Sequence, residues 1–192
     1  MTASDEELSR RQAELQAEAA EVLEELERYL GPLLATGSYV SGLMCWRDLD
    51  VMALAGPDFA PRDVLRLLQR VVEMPGVVGF GYRDERGPRS PTGQVRDERY
   101  HVPIALLRGN GEWRVDLSVW LHDAHQNVTA WHEQLRDRIT AEERAAVLRV
   151  KDVWHRLPTY PDEVGGLDIY TAVIEDGVRT PEGFGAWLAA RA

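Results

Sequence analysis

The stretch GSYVSGLMCWRDLDV, residues 37 to 51, decides the fold. Asp48 and Asp50 stand one residue apart in it. Side chains alternate along a strand, so both carboxylates point the same way while Leu49 and Val51 point into a core. Two carboxylates on one side of a strand repel each other unless a cation sits between them. The pair suits Mg²⁺, a hard cation that takes oxygen ligands and shares its coordination with phosphates. Such a metal also removes the like-charge penalty that otherwise raises one carboxyl pKa. Upstream, Gly37 and Ser38 make a tight turn into a short helix. Free backbone N–H groups and the positive dipole end at such a turn favour an anion, and the serine hydroxyl adds a donor. Glycine lets a phosphate approach the backbone closely.

Working outward, residues 33 to 36 read as a short strand before the turn, and residues 49 to 54 as another after it. Residues 5 to 30 read as a helix, with Leu8, Leu15, Ala19, Val22, Leu26 and Leu30 on one stripe. Ser4 or Asp5 caps it and Gly31-Pro32 ends it. Pro61 opens a helix marked by Val64, Leu65, Leu68, Val71 and Val72, and residues 77 to 82 return as a strand. Residues 100 to 107 and 112 to 121 flank Gly109-Asn110-Gly111, a hairpin signal. In the second arm Val115, Leu117 and Val119 share one face, and Arg114, Asp116 and Ser118 the other. Asp116 is therefore the natural third carboxylate. Three carboxylates can hold two Mg²⁺ ions roughly 3.5–4 Å apart, an arrangement that stabilises both the attacking and the leaving oxygen in phosphoryl transfer.

The Gly37-Ser38 turn, the Asp48-Leu49-Asp50 triplet and Asp116 within WRVDLSVW together resemble the nucleotidyltransferase superfamily. The form RDLDV is most similar to its lincosamide and aminoglycoside branch, which modifies antibiotics. The resemblance covers residues 1 to 121 well and the rest in outline. It implies an α/β (α+β) fold with a mixed sheet flanked by helices, followed by a C-terminal helical bundle at residues 122 to 192. It further implies transfer of a nucleoside monophosphate from an NTP to a hydroxyl of a small, antibiotic-like acceptor. Asp48, Asp50 and Asp116 would be the metal ligands and catalytic residues, with Asp116 also able to act as general base. Gly37 and Ser38 would meet the β- and γ-phosphates. Lys151, the one lysine in the chain, would reach the triphosphate from the helical part. The alternative is a non-catalytic relative that uses the same cleft for a regulatory partner, as in an antitoxin pair.

Composition bounds these readings. The 192 residues carry a formal net charge of −10, which counts against nucleic acid as acceptor, because that binding rests on phosphate neutralisation by Lys and Arg. The polar N-terminus, the lack of a long apolar run and the single Cys45 point to a cytoplasmic protein with no membrane span. Cys45 reads as a small buried hydrophobe. Residues 84 to 99 have no periodicity and read as a structureless loop, either a lid over the ligand or a plain connection. Beyond the sheet, Val128, Trp131 and Leu135 form a helical stripe. Thr140 with Glu143 makes a capping box ahead of Val147, Val150, Trp154 and Leu157. Two shorter helices are expected near 167 to 176 and 181 to 190. Trp131, Trp154 and Trp187 read as core. His122, His125 and His132 with Asp123 form a weak metal pattern, better read as solvated.

Overall fold

The chain begins with the amphipathic helix that its leucine spacing predicts. In this computed structural model, which describes residues 3–109, 111–122, 125–161 and 163–191, α1 spans Asp5–Leu30. Ser4 accepts a hydrogen bond from the Glu7 amide at 3.2 Å, and acidic residues fill the first turn. Gly31 ends α1, and Leu34–Ala35 forms the short β1. Helix α2 (Gly37–Ser41), strand β2 (Asp48–Leu54), helix α3 (Pro61–Glu73) and strand β3 (Val77–Phe80) follow. Then come β4 (Arg83–Glu85), β5 (Arg99–Arg108) and β6 (Gly111–Trp120). Asn110, between β5 and β6 in the sequence, lies outside the described residues.

Among the described residues these strands form one mixed sheet in the order β1-β2-β6-β5-β3, with β4 also pairing β5. Only β2 and β6 run parallel, in a register that sets Asp48 opposite Arg114 and Asp50 opposite Asp116. Strand alternation then divides the sheet into two faces. Leu49, Val51, Tyr100, Val102, Ile104, Val115 and Leu117 are buried with the apolar stripes of α1 and α3. The opposite face carries Asp48, Asp50, His101, Pro103, Arg114, Asp116 and Ser118. In α3 the stripe is narrower than expected. Val64, Leu68 and Val71 are buried, but Leu65 and Val72 are 63% and 54% exposed.

The expectation of a structureless segment at residues 84 to 99 is corrected. It holds β4, two 3₁₀ turns (Gly87–Arg89 and Val95–Asp97) and the start of β5. Its charges satisfy one another: Arg86 bonds Asp84 at 2.8 Å, Arg99 bonds Glu85 at 2.6 Å, and Glu98 accepts from the Gly87 amide at 2.7 Å. Balanced charges with no apolar period left no pattern in the sequence, yet they pair locally.

Helices α4 (His125–Arg138), α5 (Ala141–Trp154), α6 (Gly166–Ile174) and α7 (Pro181–Ala189) complete the chain. The Thr140–Glu143 capping box forms as expected. A second apolar cluster gathers Leu135, Val147, Val150, Ile169, Val173 and Phe184 with Leu43 from the turn after α2. Trp187 stacks on Phe184 at 5.6 Å and Trp154 meets it edge-on at 4.9 Å, so both join this cluster. Trp131 and Val128 do not; each is more than one third exposed. No helix among the described residues is long and apolar enough to cross a membrane.

Candidate active site

The β1–α2 turn is tied to the first acidic strand by the Thr36 amide, which donates to the Asp50 carbonyl at 3.0 Å. Gly37 takes φ +63°, and a Cβ there would lie 2.9 Å from Asp50 Cγ and closer still to Oδ2. Only glycine fits a left-handed residue pressed against a carboxylate. Ser38 is buried, and its carbonyl accepts from the Leu43 amide at 2.9 Å, which folds the chain back toward Cys45 and β2.

The cation among the three carboxylates is a guanidinium. Arg114 Nε lies 3.0 Å from Asp116 Oδ2 and 4.0 Å from Asp48 Oδ1. Asp116 also accepts at 3.2 Å from His101 Nε2, which must carry the proton because Asp116 is ionised. Burial alone would push the Asp116 carboxyl up, but the His101 hydrogen bond and the Arg114 charge outweigh it and hold it below the ordinary range. The other two carboxylates are perturbed the opposite way. Burial, then Asp116, pushes Asp50 up to about 6. Burial, then Asp50 and Asp116, lifts Asp48 well above its usual range. Asp48 Oδ1 is buried with no hydrogen-bond partner. Among the described residues, no three His, Cys, Asp or Glu side chains are gathered tightly enough to form a ready-made metal cluster.

Two pockets reach this group of residues. The smaller, about 230 Å³, contains Asp50 and Asp116 with Thr36, Gly37 and Trp120, and α4 contributes His132 to its wall. The larger, about 900 Å³, touches the carboxylates through Arg114. Its other walls include Trp46, Phe80, Pro103, Ala105 and the acidic Glu14 and Glu18.

The structure thus brings together Gly37, Asp50 and Asp116, with Asp48 linked to Asp116 through Arg114. Lys151 lines neither pocket, although its charge acts on both Asp48 and Asp50. That side chain is 2% exposed, and its ammonium donates to the Leu43 carbonyl at 2.8 Å and the Tyr170 hydroxyl at 3.4 Å. Among the described residues the histidines gather into no metal cluster, and the expectation of solvated histidines fails at His132, which packing of α4 buries. His122 lies 3.4 Å from Glu98. Asp123 and the His125 side chain lie outside the described residues. Sequence reasoning missed His101, Arg114 and His132 as parts of the site. Period-two alternation on both arms of the hairpin would have found the first two, but nothing local marks His132.

No family model matches the chain, and no curated protein matches it. Solved structures do. In the non-canonical poly(A) polymerase complex GLD-2–GLD-3, a chain at 13% identity superposes with a TM-score of 0.56 over 87% of this chain and 57% of that one. The GLD-2/RNP-8 complex gives 0.58 at 12% identity, over 96% of this chain and 71% of that one. This chain therefore spans little more than half the length of the first of these. At such identities the likeness establishes the fold, which is the nucleotidyltransferase fold.

Proposed function

We propose that the protein moves a nucleoside monophosphate from an NTP to a hydroxyl of a small, antibiotic-like acceptor and releases pyrophosphate. The observation that carries this reading is the in-register pairing of Asp50 with Asp116 on parallel strands, with the Gly37 turn pressed against Asp50. The fold supports nucleotidyl transfer as the general class. The small acceptor is supported by a pocket of about 900 Å³, within the ~300–1,000 Å³ typical of small-molecule sites. The net charge of −10 counts against a polyanionic acceptor.

The fold family implies Mg²⁺, and the residues fit it. The donors are all carboxylate oxygens, and the buried Asp48 Oδ1, 4.0 Å from Arg114 Nε, still accepts no hydrogen bond. Asp48, Asp50 and Asp116 would hold one or two ions, which when bound neutralise phosphate charge and polarise phosphoryl oxygens. The chain's own groups do the rest. Asp116, kept ionised by His101 and Arg114, takes the proton of the acceptor hydroxyl at a carboxylate oxygen. The acceptor oxygen forms its bond to the α-phosphorus as the bond to pyrophosphate breaks, and the leaving group departs with that electron pair. The β1–α2 turn, with Gly37 and Ser38, positions the phosphates. We assign Lys151 to bracing the turn at Leu43 in place of direct nucleotide contact. Residues 1–121 then supply the catalytic unit, and residues 122–192 a helical unit that closes one side of it.

The test is turnover. Pyrophosphate release from NTP with an acceptor panel should be lost in Asp50→Asn while the circular dichroism spectrum stays unchanged. Retained turnover would remove Asp50 from the mechanism.

A further inference from the structure

We propose that Thr129 and Arg144, together with Lys151, are positioning residues. They hold the segment around the β1–α2 turn by its backbone carbonyls and so keep Gly37 seated against Asp50. This rests on the nucleotidyl-transfer reading and gives α4 and α5 a part in the reaction.

Helix α2 is five residues long, too short to be stable by itself. The last carbonyls of a helix also lack partners within it, so groups from outside must hold them. Four carbonyls between Ala35 and Leu43 each accept from a side chain of another helix. Thr129 Oγ1 on α4 donates to the Ala35 carbonyl at 3.1 Å, and Gln16 Nε2 on α1 donates to that of Tyr39 at 2.8 Å. From α5, Arg144 Nη1 donates to the Gly42 carbonyl at 2.6 Å and Lys151 Nζ to that of Leu43 at 2.8 Å. Arg144 and Lys151 lie about two turns apart on α5, so they share a face of the helix, and they take two consecutive carbonyls. Basic side chains often hold the last carbonyls of their own helix. The last turn of α2 has none, and α5 supplies them.

Gly42 is shaped for this contact. It takes φ +65°, and a Cβ there would lie 3.0 Å from Arg144 Nη1, so glycine gives both the left-handed turn and the room for the guanidinium. Lys151 is held at a cost, because both its hydrogen-bond partners are neutral and burying an ammonium among neutral groups is unfavourable. Its charge offsets part of the burial and repulsion that raise Asp48 and Asp50. Leu43 packs with α5, α6 and α7 while Gly37 touches Asp50, so the braced segment ties the helical unit to the acidic strand. Among the described residues Thr129 and Arg144 line neither pocket at the carboxylates. They act through the turn.

A loosened turn can still close on a phosphate in the ground state. In-line attack is less tolerant, since a misplacement of about 1 Å costs about a hundredfold in rate. Loss of a brace is therefore felt in kcat and little in KM.

The test is pyrophosphate release from ATP, GTP, CTP or UTP in MgCl₂, with water as acceptor or with the hydroxyl of an acceptor panel that the wild type uses. Thr129→Val removes the hydroxyl at nearly constant shape, and Arg144→Met removes the guanidinium. Each should lower kcat about tenfold and leave the KM for NTP within about twofold of the wild type. Thr129→Ser, which keeps the hydroxyl, should restore the wild-type rate. Arg179→Met loses a contact to the Val173 carbonyl, inside the helical unit, and should keep the wild-type kcat. Rates are taken well below the Tm of each variant, and if Arg144→Met does not fold, the Thr129→Val and Thr129→Ser pair decides. Wild-type kcat in Thr129→Val and Arg144→Met, a change confined to KM, or an equal loss in Arg179→Met overturns the braces and leaves nucleotidyl transfer standing. A wild type that releases no pyrophosphate with water or with any acceptor of the panel overturns both.

Discussion

Gly37 and Asp50 are in such close contact that no side chain fits between them; a Cβ on Gly37 would overlap the Asp50 carboxylate. The β1–α2 turn and the acidic strand β2 are therefore one unit. Gly37→Ala should displace the Asp50 carboxylate and abolish transfer. It should also destabilise the fold by about 1–2 kcal/mol, since alanine is strained at positive φ. A variant with full activity would show that the contact does not position Asp50.

In the absence of metal, Asp50 opposes folding at neutral pH. Its folded pKa of about 6 lies above the ordinary 3.8, so the folded state binds this proton more tightly than the unfolded state. The penalty is present above pH 6 and is relieved as pH falls from about 6 toward 4. Asp50→Asn should raise the Tm of the metal-free protein at pH 7.5, by about 2–4 °C for each kcal/mol relieved in a chain this long. The gain should shrink near pH 5. Differential scanning calorimetry at the two pH values checks this, and a lower Tm at pH 7.5 would contradict it.

Much of this arrangement was legible in the sequence, because strands alternate strictly. Leu49, Val51, Val115 and Leu117 faced the core as expected, and that fixed where Asp48, Asp50 and Asp116 would point. Cys45 is buried as expected. What could not be read is the partner of the cation. Arg114 lies on the same face as Asp116, two positions away, but pairing it with Asp48 requires the parallel β2–β6 register, which the sequence does not encode locally. Lys151 illustrates the same gap. Its hydrogen bonds to the Leu43 carbonyl and the Tyr170 hydroxyl are tertiary and leave no local signal in the sequence. The exposed Trp131 and Val128 show that a helical stripe identifies a face without saying how much of it a neighbour will cover.

Removing the His101 hydrogen bond should move the acid limb of the pH–rate profile. Without it, burial dominates at Asp116 and the carboxyl pKa rises. His101→Leu should shift the acid limb of kcat/KM to higher pH, leaving the rate at pH 8 less affected than at pH 5. An unmoved limb would remove Asp116 as the titrating base.

Lys151 separates a brace from a nucleotide ligand. Lys151→Ala empties a buried site and strands the Leu43 carbonyl, at a cost of about 2–5 kcal/mol. Lys151→Met keeps the apolar stem and should cost less, with NTP affinity unchanged wherever the variant is folded. A folded Lys151→Met that loses about tenfold or more in affinity would instead place the ammonium on the phosphates.

In the proposed function, Asp48, Asp50 and Asp116 make a metal-dependent nucleotide site. Isothermal titration of ATP, GTP, CTP and UTP, each with and without MgCl₂, tests it most directly. At least one NTP should bind in MgCl₂, should lose that binding in EDTA, and should fail to bind Asp50→Asn in either. Binding of none of the four, or binding indifferent to Mg²⁺ and to Asp50, would contradict the account.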